Sequence, residues 1–262
     1  MILSKRVALG GVELDELDDS IVIRSVDPGV PHESTGMENR AGGFGSRLTM
    51  QHWDSLDVTV AFAIDIPKRD MVRRREVFDA VIAWANTKGW LTTNQMEGRR
   101  VWVGKVVTPG AGDMWNWTAE YRIIFRVFGD PFWRDVEPTE VTKKTVSKGN
   151  VQIQIGGTAP GVLDITFENV SGKQINDVTF TVDGKDLILK GVNLASNETL
   201  NLTHTAEGLI RLRAVAGSNS RNVYNVLRGA DDSYVQPGTT VTVAVDASRA
   251  GNLSVKSYAR WL

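Results

Sequence analysis

Tyr121-Arg122-Ile123-Ile124-Phe125-Arg126-Val127-Phe128-Gly129-Asp130-Pro131-Phe132-Trp133 is the stretch on which the fold turns. Tyr121, Ile123, Phe125 and Val127 share one face and Arg122 and Arg126 the other, the period-two pattern of a half-buried strand. Pro131 has no N–H to give a sheet ladder, so it stops the strand and biases Asp130 toward extended backbone. Phe132 and Trp133 then turn back onto the domain that the strand closes. Burying a Trp133 side chain removes ~200 Å² from water, worth up to roughly 5 kcal/mol before entropy and denatured-state corrections. These residues are structural.

Upstream, Ile21 to Val26 is a short β-branched run. Pro28, Gly29, Pro31, Gly36, Gly42, Gly43 and Gly45 follow, which predicts a loop from Pro28 to Gly45, too long for a plain connection. Val58, Val60, Phe62 and Ile64 alternate again as a strand. The period then changes: Asp70 caps a helix of about 70–88 whose apolar face holds Met71, Phe78, Val81, Ile82 and Ala85, with Gly89 ending it. Arg73-Arg74-Arg75 in this helix reads as a solvated face rather than a phosphate patch, since Glu76 interrupts it and Asp79 pairs with Arg75. A strand over Arg100 to Val107 and a hairpin loop at Pro109-Gly110-Ala111-Gly112-Asp113 lead into Tyr121.

Downstream, seven of the eight tryptophans have already passed, and Val136 to Asn150 is polar and rich in Thr and Lys. That composition break predicts two domains, 1–135 and 136–262. The second is all strand and turn: Val151, Ile153 and Ile155; Val178, Phe180 and Val182 with Asp183-Gly184, a two-residue hairpin signal, before Leu187 and Leu189; then Leu200 with Leu202, Leu209 to Arg213, Val241 to Val245 and Leu253 to Tyr258. Turns about every ten residues predict an antiparallel β-sandwich. The chain as a whole reads as mainly β with one helix.

The chemistry-bearing residues are sparse. The 262 residues contain no cysteine, which excludes disulfides, thiolate zinc sites and cysteine nucleophiles. His32, His52 and His204 lie at no metal-ligand spacing, and Glu13, Asp15, Glu16, Asp18 and Asp19 lack the glycine pivot and terminal Glu of an EF-hand loop. The glycine groups match neither a phosphate loop nor a dinucleotide fingerprint. No catalytic residue, metal or cofactor is therefore expected, and an enzyme ranks last. The Asn-x-Ser/Thr triplets at Asn116, Asn169, Asn197 and Asn201 predict no glycan without a secretion route. Thirty basic against thirty-one acidic residues, a net charge of −1, leave no electrostatic footprint for gripping nucleic acid. The first residues carry an apolar run far too short for a secretory signal, and no segment approaches the roughly 20 apolar residues of a membrane span. In the second domain Tyr224 and Tyr234 are the candidate platform for a sugar or protein partner.

The strand running into Asp130-Pro131-Phe132-Trp133, the single helix between strands, the Glu198-Thr199-Leu200 step, the Gln236-Pro237-Gly238 turn and the closing Tyr258-Ala259-Arg260-Trp261-Leu262 together resemble the distal tail proteins of long-tailed phages, over the whole chain. The resemblance implies an N-terminal β-barrel or split-barrel ring domain followed by a galectin-like sandwich. It implies a homohexameric ring that caps the tail tube protein and carries the tail-tip or lysin protein and receptor-binding or baseplate proteins. DNA would pass through its lumen without specific binding, and a host surface glycan is a candidate ligand. The place implied is the virion tail tip, after synthesis in the host cytoplasm. Within the Pro28 to Gly45 loop, Pro31, His32, Glu33, Arg40 and Phe44 are the candidate interface residues. A tail tube protein with an added sandwich and a carbohydrate-binding module for host adhesion are the alternatives.

Overall fold

In the computed structural model, which describes residues 6–39, 46–67, 70–107, 120–229 and 234–262, the chain divides into two compact units, Met1–Trp133 with Leu262 and Arg134–Trp261. It is mainly antiparallel β-structure with one α-helix among the described residues.

The first unit runs β1 (Val7–Leu9), β2 (Val12–Glu13), β3 (Ile21–Asp27), β4 (Glu33–Asn39), β5 (Ser46–Trp53), β6 (Ser55–Ile64), α1 (Met71–Ala85), β7 (Trp90–Thr93), β8 (Arg99–Trp102), β9 (Lys105–Val107) and β10 (Tyr121–Phe128). One sheet has the order β8-β7-β1-β2 and a second the order β3-β6-β10-β9. The core-facing row of β10 lies where its alternation puts it, with Tyr121, Ile123, Phe125 and Val127 buried beside Leu56, Val58, Val60 and Phe62 of β6. Helix α1 covers this face: Phe78 meets the Tyr121 ring edge-on at 5.3 Å and Trp84 meets Phe125 at 5.7 Å. Each of these large side chains is worth about 1.5–3 kcal/mol of burial.

Helix α1 starts as its sequence predicts, Asp70 accepting from the Arg73 amide at 3.0 Å. It ends earlier than Gly89, at the cap Asn86, whose side chain bonds back to the Ile82 carbonyl at 2.9 Å while the Thr87 amide steps back only three residues to Trp84. Its buried stripe is Arg74, Val77, Phe78, Val81, Trp84 and Ala85, with Met71 and Ile82 only half-buried. The Arg73-Arg74-Arg75 reading therefore needs correction at its middle residue. Arg74 is 1% exposed, donates from Nη2 to the Tyr121 hydroxyl at 2.7 Å, and donates from Nη1 to the Ile64 carbonyl at 3.2 Å. Arg73 and Arg75 do face water, paired with Asp18 and Glu76 and with Asp79.

Two further expectations fail in this unit for backbone reasons. The segment Pro28 to Gly45 is not a plain loop: its Glu33–Asn39 portion pairs with Ser46–Trp53 as a two-stranded sheet of its own. Its glycines masked the strand signal, and Gly36 stands at a register shift in the ladder. The run Arg100 to Val107 is two strands in two sheets. The Val103 amide bonds to the Gly89 carbonyl and the next amide, Gly104, to Arg126, so the chain changes sheets between them.

After β11 (Trp133–Asp135), the second unit runs β12 (Thr139–Gln154), β13 (Ala159–Asn169), β14 (Val178–Val182), β15 (Lys185–Leu189), β16 (Thr199–His204), β17 (Ile210–Ala216), β18 (Asn219–Asn222), β19 (Leu227–Gly229), β20 (Tyr234–Val235) and β21 (Thr240–Trp261). The polar stretch Val136 to Asn150 is mostly strand β12, pairing with β21 along its length. Thr and Val supply its β-propensity, while Lys143, Lys144 and Lys148 point to water and protect a strand with one pairing partner among the described residues.

Val241 to Val245 and Leu253 to Tyr258, read as separate strands, are the two halves of β21. The first half pairs with β14 and the second with β13. The two layers face each other across Phe167 and Phe180, whose rings stand edge-to-face at 6.3 Å. The change of partner falls between Ala247, opposite Val178, and Gly251, opposite Asn169, and at Gly251 a Cβ would lie 2.4 Å from Phe167 Cζ. Opposite it, Thr145 sits at φ 55° beside the register shift of β12 and gives its amide to Asn252 Oδ1 at 3.1 Å. The predicted Asp183-Gly184 hairpin joins β14 to β15, with Asp183 at φ 49°.

Candidate functional site

Three of the five candidate interface residues, Pro31, His32 and Glu33, lie at the root of the β4–β5 hairpin. The turn before it is built on Gly29, at φ 66°, where a Cβ would stand 2.1 Å from the Asp57 carbonyl oxygen. Asp27 Oδ1 accepts from the Gly29 amide at 3.0 Å, and the Pro28 carbonyl accepts from Trp133 Nε1 at 3.1 Å. Pro31 is buried, whereas His32 and Glu33 are exposed. The His32 amide bonds to the Ser55 carbonyl and its carbonyl accepts from the Asp54 amide, both at 2.8 Å. Ser34 Oγ donates to Asp54 Oδ2, and Glu33 stands opposite Trp53, whose ring meets Phe132 edge-on at 5.7 Å. The two strands of the hairpin root are thus tied to each other and to the start of β6. Arg40 and Phe44 lie outside the described residues.

Beside this root is an ion pair that sequence reading did not single out. Arg126 on β10 holds Asp57 on β6 through two hydrogen bonds, Nε to Oδ1 at 2.6 Å and Nη2 to Oδ2 at 2.5 Å. The Arg126 hydrogen bond holds the Asp57 carboxyl below its ordinary range, against a smaller upward push from burial, and the charges of Arg126 and His32 add to the lowering. Asp57 and Arg126 are direct cross-strand partners, a fact that depends on the β6–β10 register.

In the second unit, Tyr224 and Tyr234 are 41% and 45% exposed. They stand on different supports. Tyr224 belongs to a 3₁₀ turn after β18, with its amide bonded to Asn222 Oδ1 at 2.9 Å. Tyr234 pairs with Val162 of β13, stands 6.4 Å from the His204 ring, and has the Arg260 guanidinium 5.5 Å from its ring centre. His204 itself is buried, its Nδ1 3.2 Å from Asp164 Oδ1. His52 takes its place in β5 opposite Ser34.

Asn169, one of the Asn-x-Ser/Thr positions, is fully buried. Its Nδ2 reaches the carbonyls of Lys173, Leu194 and Ala195 at 2.7–3.0 Å, and its Oδ1 accepts from Ser171. A glycan there would empty this network. Next to it, burial raises the Glu198 carboxyl, but the Arg221 hydrogen bonds and the Ala195 amide outweigh that and hold it below its ordinary range. Among the described residues there is no group of three or more His, Asp or Glu placed to hold a metal ion, and no helix long and apolar enough to cross a membrane.

The fold of this chain has counterparts among solved structures. The crystal structure of the SPP1 Dit protein (gp 19.1), described as a paradigm of the hub adsorption apparatus in phages infecting Gram-positive hosts, matches with TM-score 0.66 and 14% identity. The match covers 98% of this chain and 99% of that one. The chain has the fold of SPP1 Dit. A chain of the phage P2 baseplate, in its activated conformation with Ca, matches with TM-score 0.52 and 10% identity over 97% of this chain and 98% of that one. No family model and no curated protein matches the sequence. At these identities the likeness to Dit is one of fold, carried by both units and by their order.

Proposed function

We propose that this protein is the structural hub of a phage tail tip, forming a homohexameric ring that joins the tail tube to the tail-tip and receptor-binding proteins. The observation that carries this reading is the end-to-end correspondence with SPP1 Dit, since a shared module alone would leave one unit unmatched. The first unit is the ring-forming part in this reading, and the second is a galectin-like sandwich that offers a surface to baseplate partners.

Three physical features support the reading. Strands β3 and β9 each have one partner within their sheet among the described residues, so both edges offer backbone groups to a neighbour. The β4–β5 hairpin pairs with no third strand among the described residues, and an isolated two-stranded hairpin gains stability when something covers it. A head-to-tail contact using two different edges closes into a ring if its rotation closes. A net charge of −1 suits a channel in which DNA slides without being retained.

Negative-stain electron microscopy of the purified protein at several concentrations, with its mass in solution, tests this. Six-fold rings with an open centre are expected, on their own or when the tube protein supplies a template. Long tubes would move the assignment to a tail tube protein. Monomers that add no ring to purified tube ends would sink the hub reading.

A further inference from the structure

The second unit carries a groove of about 400 Å³ lined by Ile210, Arg211, Leu212, Arg213, Asn222 and Tyr224. That is within the size range of small-ligand sites. Its origin is a change of direction. Strand β18 pairs with β17 only as far as Asn222 opposite Arg213, and the chain then leaves the sheet in a 3₁₀ turn. The outer face of β17, where Arg211 and Arg213 stand one above the other, is left with Tyr224 as its side wall.

The wall is held in place before any ligand arrives. Asn222 Oδ1 accepts from the Tyr224 amide at 2.9 Å, the Val223 amide bonds to the Leu212 carbonyl at 3.1 Å, and the Val226 amide to Val223 at 3.2 Å. A turn fixed in this way loses little freedom on binding. Arg213 lends Nη1 to Ser220 Oγ at 3.3 Å, and Arg211 makes no ion pair among the described residues. No carboxylate belongs to the described lining. The groove thus combines two guanidinium groups, a half-exposed phenol ring and an amide whose oxygen is already engaged, leaving its N–H₂ to donate.

We infer that this groove binds an anionic carbohydrate, with Tyr224 against a sugar face, Asn222 donating to a hydroxyl, and Arg211 with Arg213 receiving a carboxylate or phosphodiester. An aromatic ring offers a flat apolar surface to the C–H face of a sugar, and guanidinium groups match both kinds of anion through paired N–H donors. Two arginines on the exterior face of a strand are commonly no more than solvated charge. Here the turn encloses them in a concavity with an aromatic wall. The inference uses only the second unit and does not depend on ring formation.

The test is isothermal titration of the full chain with four probes: trigalacturonate, a glycerol phosphate trimer, neutral maltotriose and inorganic phosphate. Saturable binding of trigalacturonate is expected, with maltotriose weaker by about tenfold or more. Binding of the glycerol phosphate trimer with no binding of trigalacturonate overturns the carbohydrate reading, because that acyclic chain has no sugar face for Tyr224 to cover. The Arg211→Gln/Arg213→Gln double variant and Tyr224→Ala are each expected to lose about tenfold or more, and Tyr224→Phe to retain binding. All three residues face solvent, so the melting temperature should not move. Absence of trigalacturonate binding, or binding that the variants leave unchanged, overturns the site. Inorganic phosphate binding as tightly as the oligomers, with no effect of Tyr224→Ala, overturns its carbohydrate character. The imaging experiment on the ring reads neither result, so the two proposals fail separately.

Discussion

The indole Nε1–H of Trp133 donates to the carbonyl oxygen of Pro28 at 3.1 Å, joining positions 105 residues apart in sequence. One side chain therefore closes the first unit and pins the turn from which the β4–β5 hairpin leaves. Trp133→Phe keeps most of the apolar volume but removes the donor, and is expected to cost about 2 kcal/mol. Trp133→Ala adds a cavity and is expected to cost about 4 kcal/mol. Urea unfolding followed by fluorescence measures both, and a Trp133→Phe protein as stable as the parent would mean that the hydrogen bond contributes nothing.

Gly29 faces the Asp57 carbonyl so closely that a methyl group has no room, and its φ of 66° already disfavours any other residue. Gly29→Ala is expected to destabilise the first unit by about 2 kcal/mol or more. In the proposed hub it should also weaken ring assembly, because the hairpin root must shift. An unchanged melting curve would contradict the geometry.

Arg74 is held by Tyr121 and the Ile64 carbonyl inside the first unit. Arg74→Ala is expected to cost about 3 kcal/mol, since it strands buried acceptors and opens a cavity. Arg75→Ala, one position along on the exposed face, should change stability by less than about 0.5 kcal/mol. If both variants melt alike, burial of Arg74 is wrong.

Thr145 is a β-branched residue at φ 55° in the register shift of β12. Thr145→Gly removes the clash of the side chain with its own backbone while keeping the amide bond to Asn252. A gain of about 1 kcal/mol is expected, set against the extra freedom of glycine in the unfolded chain. A loss in thermal melting would show that the threonine side chain makes up for its strain.

Asp57 and Glu198 both have carboxyl groups held below their ordinary values of 3.8 and 4.5. A carboxylate depressed in the folded state contributes stability that is fully present above its unfolded pKa and is lost as pH falls through its folded pKa. The melting temperature should accordingly be insensitive to these groups at neutral pH and fall below about pH 4.5. The Asp57→Asn/Glu198→Gln variant should start lower at pH 7 and fall less steeply in acid. Parallel curves for the two proteins would remove these pairs from the acid response.

Periodicity alone located β10, the paired strands β14 and β15 and the helix start at Asp70, because alternation and capping are local properties that few residues decide. It misjudged segments whose partner lies far away. The β4 sequence, Glu-Ser-Thr-Gly-Met-Glu-Asn, has no apolar alternation and is a strand because β5 pairs with it. Residues 136–150 look like a linker until β21 supplies a ladder. The Asp57–Arg126 pair and the Tyr224 groove depend on register and on where a strand stops, and neither leaves a pattern in one segment.

What the sequence determined by itself is the local layer: strands of period two, one helix, turn positions, near-zero net charge and no thiol chemistry. Tertiary structure decided which edges stay open, that Arg74 is interior, that β21 changes partner between Ala247 and Gly251, and that two arginines and a tyrosine share a concavity. The physical reason is range. Alternation and caps act over a few residues, whereas pairing, burial and concavity are set by residues tens to more than a hundred positions apart that meet only in the folded chain.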